Sequence, residues 1–338
     1  MNKELYQKEI ESFNFDLSQL ENKSFMISGA TGMIASYMID CIMAKKINCR
    51  VIALGRNEQK ARERFGSYFN SPNFAFYSTD INKPIEINEK ADYILHAASN
   101  THPMAYSTDP IGTITANVIG LQNLLDYACS HDTKRFIFLS SVEIYGENRG
   151  DIDAFSEDYC GYINCNTLRA GYPESKRVGE ALCQAYIKQK GLDIVIPRLS
   201  RVFGPTLLKT DTKALSQFLH KAAAGENIVL KSAGTQYYSY LYVSDIVSGI
   251  LTCLFNGKCG EAYNIADDSC NITLKDLAQM IADFAGTKVI FEIPDDTEKA
   301  GYSTATKAIL SSEKINRLGW HAQYNIQDGI KQTLLMID

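Results

Sequence analysis

Ser28-Gly29-Ala30-Thr31-Gly32-Met33-Ile34-Ala35 follows directly on a short apolar run, Ser24 to Ser28 (SFMIS), and opens a stretch from Met33 to Lys45 with apolar residues recurring at three and four. That order reads as strand, tight turn and helix. Gly29 can take backbone angles closed to other residues and Gly32 lets the main chain approach a ligand. The helix start offers free N–H groups and a partial positive charge, the conditions a pyrophosphate needs. Ala35 stands third, where a small side chain keeps helix and strand close. The plain alternative is a turn that merely requires glycines, and the strand-turn-helix context is what favours a dinucleotide. The expected contacts are Gly29, Thr31, Gly32, Met33 and Ile34.

Outward from this turn, short apolar runs alternate with helical stretches. Val51 to Leu54, Phe74 to Tyr77, Tyr93 to Ala97, Phe136 to Ser140 and Ile194 to Leu199 are the further candidate strands. Thr113 to Cys129 and Glu174 to Lys190 are further candidate helices. Such alternation predicts an α/β fold, a Rossmann-type doubly wound parallel sheet. After Pro197 the rhythm breaks, which predicts a smaller C-terminal α/β substrate domain. The expected division is 1–196, with 243–266 returning to it, against 197–242 and 267–338. The first twenty residues read as an extra amphipathic segment packed on the body.

Composition narrows the function. A net charge of −5 argues against a nucleic-acid partner, which would need clustered Lys and Arg. No apolar run reaches the roughly 18 to 20 residues that span a bilayer, and the N-terminus lacks a signal-peptide core, so a cytoplasmic location and no membrane partner are expected. Nine cysteines, an odd number without a CxxC pair, predict reduced thiols and no metal site.

The second strand ends in Leu54-Gly55-Arg56-Asn57, with no carboxylate to repel a 2′-phosphate and with Arg56 able to pair with one. NADP(H) is therefore expected over NAD. Two Tyr-x-x-x-Lys pairs occur, Tyr172 with Lys176 and Tyr186 with Lys190. On one helix the two tyrosines lie ~21 Å apart, so only one can serve the reaction. Tyr172 opens its helix near the carboxyl ends of the strands, where an open α/β sheet places its ligand, and the fifth strand ends there in Ser140-Ser141. A phenol with an ordinary pKa near 10 needs help at neutral pH, which Lys176 supplies, and Ser141 can hold the substrate oxygen.

In order along the chain these residues resemble the extended short-chain dehydrogenases/reductases of the NAD-dependent epimerase/dehydratase type. The resemblance rests on SGATGMIA, Asp80-Ile81, His96-Ala97-Ala98, Asn117 in TANVIGLQNLL, SSVEIYG, YPESK, PRLSRVFGP and YVSDIVSGI. The stretches Arg169 to Arg177 and His96 to Leu124 are similar to UDP-glucuronate decarboxylases. The resemblance implies catalytic Ser141, Tyr172 and Lys176, and with them Glu143 at the site edge as a fourth catalytic residue. It implies cofactor contacts at Asp80, Ile81, Ala97, Ala98, Asn117 and Lys176, a nucleotide-sugar substrate, and a homodimer through two paired helices.

Three departures bear on the reaction. Val142 stands where dehydratases of the family carry an Asp, which disfavours a 4,6-dehydratase. Arg201 replaces an Asn before the FGP motif, and Tyr238 replaces an Arg that normally meets the diphosphate. Arg201 or Lys213 could supply that charge from another position, which makes Arg201, Lys213 and Tyr238 the candidate substrate residues. The favoured function is NADPH-dependent reduction of a keto group on a nucleotide-linked sugar. The alternative is a decarboxylase or 4-epimerase with internally recycled NAD, and a non-catalytic dinucleotide-binding regulator is the third reading.

Overall fold

The apolar runs are buried on both faces, which is why they alternate so little between polar and apolar and why they join one parallel sheet. The computed structural model describes residues 1–101, 103–292 and 306–337. Its strands begin with β1 (Lys23–Ser28), β2 (Cys49–Gly55), β3 (Phe74–Ser78), β4 (Tyr93–His96), β5 (Arg135–Phe138), β6 (Ser140–Ser141) and β7 (Ile194–Leu199). They continue with β8 (Arg201–Phe203), β9 (Ile228–Leu230), β10 (Tyr237–Tyr242) and β11 (Ala262–Ile265). The main sheet runs β11-β7-β5-β4-β1-β2-β3, with β6 also on β7, and every pairing in it is parallel. Strand order reverses between β1 and β4, so the crevice outside their carboxyl ends is where this architecture takes a ligand.

The helices are α1 (Lys3–Ser12), α2 (Met33–Ala44), α3 (Glu58–Phe65), α4 (Pro103–Thr108), α5 (Pro110–Ser130), α6 (Gly171–Lys190), α7 (Ala214–Ala223), α8 (Val243–Asn256) and α9 (Leu274–Ala285), followed among the described residues by Glu313–Asn316 and Ile326–Met336. Helix α5 starts ahead of the expected Thr113 because Asp109 caps it, accepting from the Gly112 N–H, and Pro110 fits the first helical turn. Helix α6 runs close beneath the sheet because Gly179 leaves room: a Cβ there would lie 2.5 Å from Cζ of Phe138. That approach brings the start of α6 to the ends of β5 and β6.

The expected N-terminal segment is α1, which buries Tyr6, Glu9 and Ile10. The Glu9 carboxylate accepts from the hydroxyls of Tyr37 on α2 (2.7 Å) and Tyr242 on β10 (2.6 Å), and burial raises its pKa. Strand β10 heads a second, smaller sheet with β8, Asn271–Thr273 and Lys307–Ala308, while β9 pairs with Val289–Phe291. Among the described residues no helix is long and apolar enough to cross a membrane.

Candidate active site

The glycine turn is built to the dimensions a close ligand needs. Gly29 has φ of 68°, and a Cβ there would stand 2.7 Å from Cα of Ala98 and 2.8 Å from its nitrogen. Backbone thus passes backbone where β1 and β4 diverge. Gly32 caps α2 without a side chain, so the helix meets the crevice with its first-turn N–H groups unblocked. Thr31, Met33 and Ile34 complete the turn, and the Met33 carbonyl accepts from the Thr206 hydroxyl at 3.0 Å. An open helix start and a cradle that a Cβ would fill both fit a dinucleotide pyrophosphate.

Ser28 locks the far wall of this cradle. Its Oγ accepts from the N–H groups of Ala97 and Ala98, each at 3.2 Å, and lies 2.9 Å from Nδ1 of His96. With two hydrogen bonds accepted, the hydroxyl proton is directed at Nδ1, which places the imidazole proton on Nε2. Nε2 is buried without a partner in normal hydrogen-bonding geometry. Burial, helped by the Lys176 charge, lowers the His96 pKa to about 3, and the Ala116 backbone offsets only part of that.

A stability prediction follows for acid. Because the folded pKa lies below the unfolded value of about 6.5, His96 contributes stability above pH 6.5, lost as pH falls toward 3, a few kcal/mol in all. Asp245, pushed up to about 6 by burial, acts in the opposite sense, contributing stability below pH 3.8 that is lost as pH rises through 6. The readout is therefore the difference between wild type and His96→Asn. The variant's melting temperature should fall less between pH 7 and pH 4.5, and equal slopes would remove His96 from the account.

Ser141, Tyr172 and Lys176 converge at the ends of β5 and β6. Tyr172 is nearly buried, and burial pushes its pKa up to about 12 while a hydrogen bond with the Ser141 side chain pulls the other way. Lys176 Nζ donates to the Leu139 carbonyl at 2.7 Å and lies 4.6 Å over the Phe138 ring. Burial lowers its pKa to about 7. The first turn of α6 is pinned from α5: Asn117 Nδ2 donates to Ser175 Oγ at 3.0 Å, and that hydroxyl donates to the Tyr172 carbonyl at 2.7 Å. Asn117 Oδ1 remains buried without a partner among the described residues. Tyr186, by contrast, donates to Asp126 on α5 at 2.5 Å, well along the helix from this cluster.

Two residues at the cluster escape the sequence reading. Tyr106 of α4 stacks on Tyr172, ring centroids 5.1 Å apart and planes inclined 25°. Arg169 lies 5.0 Å over the Tyr106 ring and donates to Glu143 at 2.8 Å. Glu143 is thereby held by a cation. Arg169 stands three residues before Tyr172 in a quoted motif, so its nearness was legible; nothing local marks Tyr106.

The remaining candidates fall into separate places. Arg56 is exposed beyond β2, beside Asn57, which caps α3 by accepting from the Lys60 N–H at 2.8 Å. Asp80 accepts from the Asn82 N–H at 3.1 Å, and Ile81 packs where Gly120 of α5 lacks a side chain. In the smaller sheet the Arg201 guanidinium sits 3.5 Å over the Tyr238 ring. Lys213 pairs instead with Asp211 at 3.4 Å, which balances part of its charge.

The description "NAD dependent epimerase/dehydratase family" matches residues 25–266. UDP-glucuronic acid decarboxylase 3 of Arabidopsis thaliana is 30% identical over 313 residues, 91% of this chain and 87% of that one. UDP-glucuronic acid decarboxylase 1 of Xenopus tropicalis is 28% identical over 323 residues, 94% of this chain and 73% of that one. Among solved structures, UDP-glucuronic acid 4-epimerase from Bacillus cereus, in complex with UDP-glucuronic acid and NAD, superposes with a TM-score of 0.78. Its sequence identity is 20%, and the match covers 93% of this chain and 98% of that one. The chain belongs to the NAD-dependent epimerase/dehydratase family of nucleotide-sugar enzymes.

Proposed function

We propose that this enzyme decarboxylates a nucleotide-linked glucuronate through a closed redox cycle at C4, the alternative of the sequence reading and not the net NADPH-dependent reduction placed first there. The similarity to UDP-glucuronic acid decarboxylases over nine-tenths of the chain carries this reading. The clustered Ser141, Tyr172 and Lys176 support it. Bound NAD would take the hydride from C4 and return it at the end. Tyr172 as phenolate takes the C4 hydroxyl proton and Ser141 holds the oxygen. The resulting ketone stands β to the C6 carboxylate, so the C5–C6 bond breaks with release of CO2 as its electron pair moves toward the held oxygen. A proton is then taken up at C5, and Tyr172 gives its proton back as the C4 hydroxyl re-forms. Val142 is buried and apolar and supplies no acid for loss of a C6 hydroxyl, which keeps a 4,6-dehydratase unfavoured.

NAD is the cofactor proposed. The NADP(H) expectation rests on Arg56, which is exposed, and on the lack of a carboxylate at the end of β2, whereas the Bacillus cereus epimerase was determined with NAD. In this reading residues 1–196 with 243–266 hold the dinucleotide, and 197–242 with 267–338 hold the sugar nucleotide. A homodimer through α5 and α6 is supported by Ile111, Ile114 and Ile119 of α5 and Val178 of α6, which stand exposed on that helix pair.

The test is turnover of UDP-glucuronate without added cofactor. Expected are CO2, a UDP-pentose by mass, and NAD released on denaturing the protein. An unchanged mass with inverted C4 would point to the 4-epimerase. A requirement for stoichiometric NADPH would restore the reductase, and released NADP would restore the Arg56 expectation.

A further inference from the structure

Arg201 stands apart from the other arginines of the protein. Arg50, Arg64, Arg135, Arg177 and Arg198, the other partly or fully buried ones, each face a carboxylate: Glu89, Asp40, Asp193, Glu174 and Glu180. Among the described residues Arg201 has no such partner, and its Nη1 is buried without a hydrogen bond. Among the described residues, two tyrosines stand beside the guanidinium. It lies 3.5 Å over the Tyr238 ring, and Tyr240 is its register neighbour across the parallel β8–β10 ladder. Tyr238 and Tyr240 are both buried, so the pair forms a rigid platform under the charge.

Position gives the platform a purpose. Ser141 pairs with Leu199 in the β6–β7 ladder, and Arg201 follows two residues later. The guanidinium is thus carried from the same end of the sheet that presents Ser141 and Tyr172. A planar fork of N–H donors, with Nη1 buried and without a partner among the described residues, suits an oxyanion. We propose that Arg201, oriented by Tyr238, clamps an oxyanion of the substrate beside the reacting sugar carbon, either the diphosphate or the sugar carboxylate. The inference rests on the sugar-nucleotide reading above. It also gives the two departures from the family pattern one cause: the positive charge has moved from position 238 to position 201, and the tyrosine left behind serves as its support. Arg201 touches the substrate, and Tyr238 is a positioning residue.

The experiment is calorimetric titration of the NAD-loaded protein with UDP, UDP-glucose and UDP-glucuronate, alongside the melting-temperature shift produced by inorganic pyrophosphate. Arg201→Asn is expected to weaken binding about 10- to 100-fold, the loss of a charge-assisted contact, while NAD affinity stays unchanged and reports an intact fold. Arg201→Lys, which keeps charge but not the planar stack, should fall between. Moving the charge back in Arg201→Asn/Tyr238→Arg should recover most of the loss, which a merely structural role would not do. An equal loss for all three UDP compounds assigns the diphosphate, and a loss confined to UDP-glucuronate assigns the carboxylate. If no UDP compound binds the wild type yet pyrophosphate protects it through Arg201, the nucleotide reading fails and the anion site stands. Equal responses of wild type and Arg201→Asn to every probe overturn the inference.

Discussion

Tyr172→Phe should lower turnover by about 10²- to 10⁴-fold, the range set by removing a positioned proton-transfer group, with NAD affinity left within about twofold. The variant removes one hydroxyl and little else. The phenyl ring keeps its stack on Tyr106, and the Ser175 bond to the backbone carbonyl at 172 does not involve the side chain. Ser141 loses its phenolic partner and keeps the bond it accepts from the Glu143 N–H at 3.3 Å. Single-turnover spectroscopy decides the matter. A nicotinamide absorbance that still rises at the wild-type rate after substrate addition would show that another group takes the proton.

The protein reaches the same conclusion through charge. Burial drives Tyr172 up to about 12 and Lys176 down to about 7, so in the free protein at neutral pH the phenol stays un-ionised while the lysine is only partly charged. A phenolate would form more readily with positive charge beside it, which an oxidised nicotinamide would supply when bound. Burial would thereby couple the proton chemistry to the presence of cofactor, and Tyr172→Phe removes the group that carries that coupling.

How much of this was legible beforehand depends on sequence separation. The β1–turn–α2 unit is local, and hydrophobic period with two glycines was sufficient to read it. Tyr172 and Lys176 were separated from Tyr186 and Lys190 by position alone, and the Tyr186 bond to Asp126 agrees. Contacts between distant segments were not legible. Tyr106 reaches Tyr172 across a stretch that no periodicity links, and Glu9 meets Tyr242, 233 positions later, only because α1 docks where α2 and β10 come together. The pairing of Arg201 with Tyr238 was foreshadowed as two separate oddities, and only the β8–β10 register makes them one. Lys213 was read as an available charge, and nothing in the order of residues revealed that Asp211, two positions earlier, would bend back to meet it.

Gly29→Ala is expected to produce the largest loss of cofactor binding, at least about 100-fold, together with about 2–4 kcal/mol of stability. Two costs combine. A non-glycine residue at φ of 68° loses about 1 kcal/mol. The added Cβ would also meet Cα and nitrogen of Ala98 at 2.7 and 2.8 Å, backbone atoms held in place by the Ser28 hydroxyl. They cannot yield without opening the wall between β1 and β4. Gly191 isolates the first cost: its φ is 70° and a Cβ there would meet nothing within 4 Å, so Gly191→Ala should lose only about 1 kcal/mol. Gly32→Ala isolates the approach to the ligand, since its φ of −74° suits any residue and its Cβ would stand 3.1 Å from the Gly29 carbonyl. That variant should fold with a melting temperature near wild type and bind NAD more weakly. Chemical denaturation and NAD titration of the three variants separate conformational strain, backbone collision and ligand approach. A Gly29→Ala protein no less stable than Gly191→Ala would mean that the turn is free to move away from β4, and that the close passage of the two backbones is not what shapes the site.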